Sequence, residues 1–432
     1  AAPVAISSAV RPLPESFAAR LPYTGDSQAP ALTMREALRD VLGNHLKAAD
    51  FRLYGEDIED PKGDVFGVCE GLSTAFPGRV ENSPLAEATI LGVAIGRALA
   101  GERVGAFLQF ADFFPVAYNL FHSELAGMYW RSNGEWNCPV TLMVSCGGYR
   151  AGTGPYHTQT FDSIAAHTPG VDVVMPSTAG DAAGLLNAVL TSGRPSVFLY
   201  PKNLINDRSQ RTSADVAEQF VPLGKACFRR EGADLVFVAW GNTVALCEHT
   251  ADLLKGAGMD AAVIDLRSLK PWDAETVAAA AETAGKLIIA HEDSLDFGAG
   301  AEIAATVAER ARKPVAIRRV ARPDTYLPFH FGNQLELLPS VERLLTSACE
   351  LLDLDLHWEE PETRTDGLHT IEATGVGASD DEVTIVELKV AVGQPVTLDA
   401  VLAVVEADKA AAEVLAPVSG VVEDVLVAET DA

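Results

Sequence analysis

The chain has 432 residues, too many for one ordinary hydrophobic core and enough for roughly three domains. Its formal charge of −27 excludes nucleic acid or an anionic membrane as the main partner, because counterion release needs concentrated Lys/Arg surface. No run approaches the roughly 18 apolar residues of a spanning helix, and the cysteines, Cys69, Cys138, Cys146, Cys227, Cys247 and Cys349, are scattered without a C-x-x-C pair. That usage fits a reducing compartment, here the cytoplasm, and argues against a disulfide framework or a zinc site.

Residues 1–30 open with AAPVAISSAVRPLPES, an Ala/Ser/Pro-rich stretch with no apolar core behind a basic start. It reads as a flexible lead-in or linker and not as a secretory signal. From residue 31 the pattern alternates between helix and strand. MREALRDVLGNHLK has helical spacing, FRLYGEDI is a strand, AEATILGVAIGRALAG a small-residue helix and RVGAFLQF a strand again. VTLMVS, VDVVMPS and SVFLY follow as short β-branched runs, each before a helix or a Gly/Pro loop. This alternation predicts a mainly parallel, doubly wound sheet over 31–202, with ligands beyond the carboxyl ends of its strands.

The polar segment 203–220 is expected to be an interdomain crossing. Over 221–353 a second α/β domain is predicted, with strands in ADLVFVAWG, MDAAVIDL, KLIIAHED and PVAIRRV and helices between them. A charged linker over 354–370 then leads to an all-β region, 371–432, whose five short strand-like runs are separated by turn residues. The last run is still strand-like at Ala432, so this module is expected to be incomplete.

The cluster GEDIEDPKGDVFGVCEGL, followed by RVENSPLAEATILGVAIGRALAG, FLQFADFF, YHTQTF, HTPGVDVVMPS, VFLYPK, VIDLRSLKPWD and FGAGAEIA, resembles the β subunit of the E1 component of 2-oxoacid dehydrogenases. This is a thiamine-diphosphate family with a transketolase-like fold, and the resemblance spans about residues 31–352. It implies two doubly wound transketolase-like domains, a pyrimidine-binding one and a C-terminal one. The fragment GAGAEI alone is a weak dinucleotide signal, and it falls in the family's C-terminal domain, which binds no NAD.

Glu87 stands where a small-residue helix starts, a place the helix dipole favours for any acid. In the family the glutamate at this place bonds N1′ of the cofactor's aminopyrimidine, so the resemblance assigns Glu87 that role, catalytic and cofactor-binding. Phe113 in FADFF matches the aromatic that stacks on the same ring, and Leu85 and Gln109 match neighbouring lining positions. His157 in GPYHTQTF matches the histidine that steers or protonates the substrate, a task suited to a side chain that titrates at about 6.5. His167 in AHTPG is expected to be structural. The family holds Mg²⁺ and the diphosphate through a GDG motif that this chain lacks, so the resemblance implies that the metal ligands come from an α partner in an α₂β₂ assembly.

The β module, with VGQPVTLDAVLAVVEADKA and APVSGVV, resembles the lipoyl domains of acyltransferase components, in which the lysine of a D-K-A turn carries lipoic acid. Carried over, that lysine is Lys409. The resemblance thus implies a chain that, with its α partner, cleaves a small-molecule ketone substrate, a 2-oxoacid, and reductively acylates the arm on Lys409 for an acyltransferase or carrier protein. FLQFADFF and VIDLRSLKPWD resemble the branched-chain type more than the pyruvate type, while three departures, HTQT for HSQS, Tyr200 where an acid is common and HEDSLDFGAG for HEAPxTGGFG, run against that lean. A related alternative is a biosynthetic chain that moves a glycolyl unit from a ketose phosphate to an acyl carrier protein. A third reading, an inactive scaffold or lipoyl-presenting module, is disfavoured by the presence of both Glu87 and His157.

Overall fold

The computed structural model describes residues 8–356, 367–371, 383–397, 400–407, 410–416 and 418–428. The alternating fold begins where Thr33 caps the helix Met34–Leu46. The Glu36 carboxylate accepts the Thr33 amide at 2.7 Å while the Thr33 hydroxyl accepts the Glu36 amide, a capping box that satisfies two otherwise orphaned donors.

In the first sheet, β1 (Phe51–Gly55), β2 (Val80–Asn82), β3 (Arg103–Leu108), β4 (Val140–Cys146), β5 (Asp172–Val174) and β6 (Ser196–Pro201) run parallel in the order β5-β6-β4-β3-β1-β2. Every residue of β4 and β6 is buried, as expected of parallel strands covered on both faces. Downstream lie β7 (Cys227–Arg230), β8 (Leu235–Ala239), β9 (Ala261–Asp265), β10 (Ser268–Lys270), β11 (Lys286–Ser294) and β12 (Ala316–Arg322). Five of them make the second sheet, ordered β12-β11-β8-β9-β7 and parallel except for β7.

The remaining strand, β10, pairs antiparallel with β5 at the edge of the first sheet. Sequence pattern gave no sign of this exchange, because SLK is too short to show a period. It joins the two sheets, and one apolar cluster runs from Val144 through Met175 and Trp240 to Val238 and Ile264.

Two segments depart from expectation. Residues 8–30 do not hang free as a lead-in: Tyr23 and Phe220 exchange backbone hydrogen bonds at 2.8 and 2.7 Å, and the Phe17 ring meets Phe220 edge-on at 5.1 Å. Segment 203–220, expected to be a crossing between domains, is packed onto the first. The Asn187 amide donates to the carbonyls of Val216 and Gln219, and Ile205, Val216 and Phe220 are buried in the first domain's core. Those three apolar side chains, spaced among polar ones, are the physical reason for the docking.

In the C-terminal region β13 (Thr384–Leu388), β14 (Pro395–Val396), β15 (Val401–Ala407), β16 (Ala410–Leu415) and β17 (Gly420–Val421) are all short, and their pairings are antiparallel. Lys409 lies outside the described residues. On either side of it, Ala407 of β15 is registered with Ala410 of β16. Among the described residues no helix is long and apolar enough to cross a membrane.

The docked N-terminal stretch depends on one close approach. A Cβ on Gly180, in the helix Ala179–Ser192, would lie 2.1 Å from the Thr24 carbonyl oxygen. Gly180→Ala is therefore expected to cost about 1–3 kcal/mol in urea unfolding and to open residues 8–30 to protease. Unchanged stability and unchanged cleavage would show that the stretch tolerates displacement.

Candidate active site

The carboxyl ends of β1, β3, β4 and β6 open on the same edge of the first sheet, the edge at which doubly wound sheets bind ligands. All five residues expected in the site of the α/β region leave from this edge or just beyond it. Gln109 follows β3, is buried, and donates through its side-chain amide to the Glu56 carbonyl at 3.2 Å, beyond β1. Phe113 ends the short turn Ala111–Phe113 and is half-buried. His157 sits on the loop after β4, and Glu87 begins the helix Glu87–Leu99 beyond β2.

Phe113 and His157 come together. Their ring centroids are 5.7 Å apart and their planes nearly perpendicular at 85°. Phe110 completes the cluster, 4.5 Å from the His157 ring and 5.9 Å from Phe113. The His157 Nδ1 lies 3.2 Å from the Thr153 carbonyl oxygen. Since a carbonyl can only accept, this contact puts the proton on Nδ1 and presents Nε2 as the base.

Glu87 is 9% exposed, and its carboxylate has no hydrogen-bond or ion-pair partner among the described residues. Its helix packs against the one that follows Phe113, Phe114–Leu120. Leu85, two residues before Glu87, is 74% exposed. The structure thus joins Phe113 to His157, ties Gln109 to the loop after β1, and places Leu85 and Glu87 on a separate segment that no hydrogen bond links to the ring cluster. His167 is exposed at the end of the helix Asp162–His167.

These residues fit the aminopyrimidine half of a thiamine cofactor. A nearly buried carboxylate without a partner suits a ring nitrogen that carries a proton, and a half-buried aromatic offers a face for stacking. Among the described residues no group of three His, Cys, Asp or Glu side chains is arranged to hold a metal ion.

Sequence reasoning missed several polar residues here. Asp112, between Ala111 and Phe113, accepts the backbone N–H groups of Thr158 and Gln159, each at 3.2 Å. Lys202 follows β6 and is 1% exposed, and burial holds its ammonium below the usual lysine range. Glu292 on β11 reaches over from the second domain and accepts the Gly148 N–H at 2.9 Å and the Asn242 amide at 2.6 Å. A lysine directly after the buried run SVFLYP was the one readable sign. Asp112 and Glu292 gave none, since their partners lie far off in sequence.

Tyr200, where the family commonly has an acid, faces a carboxylate from a neighbouring loop: its hydroxyl lies 3.5 Å from Asp64 Oδ2. Burial pushes the Asp64 carboxyl up to about 6, only partly offset by the nearby backbone N–H groups.

Comparison with known proteins agrees with this architecture. Residues 30–208 match the transketolase pyrimidine binding domain, 224–343 the transketolase C-terminal domain and 369–432 the biotin-requiring enzyme family. The chain is 35% identical over 326 residues to the pyruvate dehydrogenase E1 component subunit beta of Bacillus subtilis, covering 74% of this chain and 99% of the relative. It is 38% identical over 273 residues to the 2-oxoisovalerate dehydrogenase subunit beta of the same organism, covering 62% of this chain and 82% of the relative. In structure it resembles a split-gene transketolase described as an inactive beta4 tetramer, with a TM-score of 0.62 and 21% identity over 75% of this chain and 99% of the other, a likeness of fold.

Asp64 yields a pH prediction. Because its folded pKa is raised, its contribution to stability is fully present below about pH 4 and is lost as the pH rises through 6. Asp64→Asn, whose amide tolerates the residue's φ of +80°, is expected to stabilise the fold by about 1–3 kcal/mol at pH 8 and by nothing measurable near pH 4. Urea titrations at the two pH values check it, and a gain of equal size at both would rule out titration of Asp64 as the cause.

Proposed function

The chain belongs to the family of E1 β subunits of 2-oxoacid dehydrogenases, and from that premise we propose that, with an α partner, it cleaves a 2-oxoacid and loads the acyl unit onto a lipoyl arm at its own Lys409. The observations that carry the reading are the pairing of the Phe113 and His157 rings and, on the helix packed against the one that follows Phe113, Glu87, a nearly buried carboxylate with no partner among the described residues. Thiamine diphosphate, when bound, supplies the nucleophilic carbon and the electron sink for breaking the bond beside the ketone. Glu87 would hold the proton at the pyrimidine nitrogen, and Phe113 would offer its ring face. Gln109, held by the Glu56 carbonyl, would line the ring, with Leu85 on the open side. His157 Nε2 would move a proton to and from the substrate oxygen, its ring steadied by Phe110 and the Thr153 carbonyl. Mg²⁺ and the diphosphate would be held by the α partner, in an α₂β₂ assembly.

A lipoyl group on Lys409 would supply the disulfide that accepts the electron pair left when the bond to the substrate carboxyl breaks and carbon dioxide departs. Its S–S bond would break, one sulfur bonding the acyl carbon as a thioester and the other taking a proton from solvent to become a thiol. The biotin/lipoyl match over residues 369–432 supports a carrier module, and relatives named for pyruvate and 2-oxoisovalerate support a 2-oxoacid substrate. An acyltransferase would take the cargo, in the cytoplasm.

Two outcomes test the reading. In the reconstituted complex, Glu87→Gln should lower turnover of pyruvate or 2-oxoisovalerate by at least about a hundredfold while leaving thermal unfolding unchanged, and a variant as active as the parent would remove Glu87 from the mechanism. Intact mass after expression with a lipoate ligase should show one lipoyl group, absent from Lys409→Arg, and an acyl adduct only when the 2-oxoacid is supplied. An arm that carries lipoate yet accepts no acyl group from pyruvate, 2-oxoisovalerate or a ketose phosphate would mean that it serves another enzyme.

A further inference from the structure

A buried lysine and a half-buried aspartate adjoin the ring cluster, and neither has a part in the chemistry described above. Asp112 sits in the turn that ends at Phe113, and its carboxylate accepts the N–H groups of the two residues that follow His157, Thr158 and Gln159. One side chain thereby ties the aromatic turn to the histidine loop. Lys202 leaves the end of β6, and its backbone N–H donates to the Cys146 carbonyl at 3.0 Å. Its Nζ stands 5.4 Å from the centroid of Phe110, the ring that lies 4.5 Å from His157. Among the described residues that ammonium has no hydrogen-bond partner.

We propose that Lys202 and Asp112 form a positioning pair in which the buried ammonium, without touching the carboxylate, keeps Asp112 able to clamp the His157 loop against the Phe113 turn. The pair acts on geometry and touches no substrate, and it rests on the role assigned to His157. Burial holds the Asp112 carboxyl above the usual carboxylate range, and the Lys202 charge, with the Gln159 and Thr158 N–H groups, offsets part of that rise. An ionised carboxylate accepts both N–H groups strongly, whereas a protonated one turns one oxygen into a donor and loosens the clamp.

The other titratable groups on the packed elements are accounted for. The Cys146 thiol at the end of β4 is pushed far up by burial and stays neutral. Glu292 on β11 is held by Gly148 and Asn242, Asp162 on its helix accepts the Trp240 indole N–H, and Arg150 lies over the Phe66 ring. The test must therefore isolate Asp112 from these groups and from His157.

Amide hydrogen exchange of residues 154–161, corrected for the intrinsic pH dependence of exchange, makes that separation without substrate or α partner. In the parent chain, protection should be flat from pH 6 to 8.5. In Lys202→Met it should match the parent at pH 8.5 and fall by about twofold or more at pH 6, as Asp112 takes up a proton without the ammonium's field. In Lys202→Met/Asp112→Asn it should be reduced and flat, with a melting temperature at or above that of the parent, because removing both buried charges removes their desolvation cost. With α partner and 2-oxoisovalerate, the acid limb of kcat should move to higher pH in Lys202→Met alone. Protection in Lys202→Met equal to the parent's at every pH overturns the proposal. So does a pH dependence that survives in the double variant, which would assign the titration to His157 or Glu292. If exchange behaves as stated while no variant turns over a 2-oxoacid, the positioning pair stands and the enzymatic reading fails.

Discussion

Glu292 is the side chain on which the geometry of the site depends most. It leaves β11 in the second domain and closes two hydrogen bonds, to the Gly148 N–H of the first domain and to the Asn242 amide of its own. A carboxylate buried here without donors would cost several kcal/mol, so these contacts act as a condition on the fold. They are made possible by Gly147, whose φ is +96° and where a Cβ would come within 2.8 Å of the Asn242 amide nitrogen. The loop that carries His157 starts from this anchor. Its place is therefore fixed by the joining of two domains and not by the first sheet alone.

The same joining is repeated further out. The Trp240 indole donates to Asp162 at 2.7 Å, the Ser163 hydroxyl donates to Asp293 at 2.6 Å, and β10 extends the first sheet. His291 lies flat on Trp240 at 5.1 Å, and burial holds its ring down to about 4, so it stays neutral at working pH. Polar contacts of this kind give direction to an interface whose apolar part has none. The apolar cluster holds the domains together, and the hydrogen bonds decide how they face.

Much of this architecture was readable from the chain. The runs VTLMVS and SVFLY are continuous and β-branched because parallel strands are covered on both faces, and they became β4 and β6. Glu87, Phe113 and His157 were readable as motif positions, and the structure puts two of them in ring contact. What could not be read depends on pairings between distant residues. β10 is three residues long, the docking of Tyr23 on Phe220 is made by backbone groups, and Asp112 and Glu292 bond to N–H groups that every residue carries. The place of Lys202 after the buried run SVFLYP was readable, but not what its ammonium would face. Side-chain type signals chemistry, while partner identity is a property of the folded chain.

The fused module can be weighed by its tether. Between Leu352, where the last helix of the second domain ends, and Thr384, where β13 begins, the chain cannot span more than about 100 Å even if fully extended. Confining the proposed arm to that radius holds it at an effective concentration on the order of 0.1–1 mM around its own active site. Affinity between arm and site can then be weak without starving the reaction, and weak affinity lets a loaded arm depart for the next enzyme. A separate carrier at lower concentration would need a tighter contact to be loaded as often, and would leave more slowly. Fusion thus relaxes the demand for a docking surface.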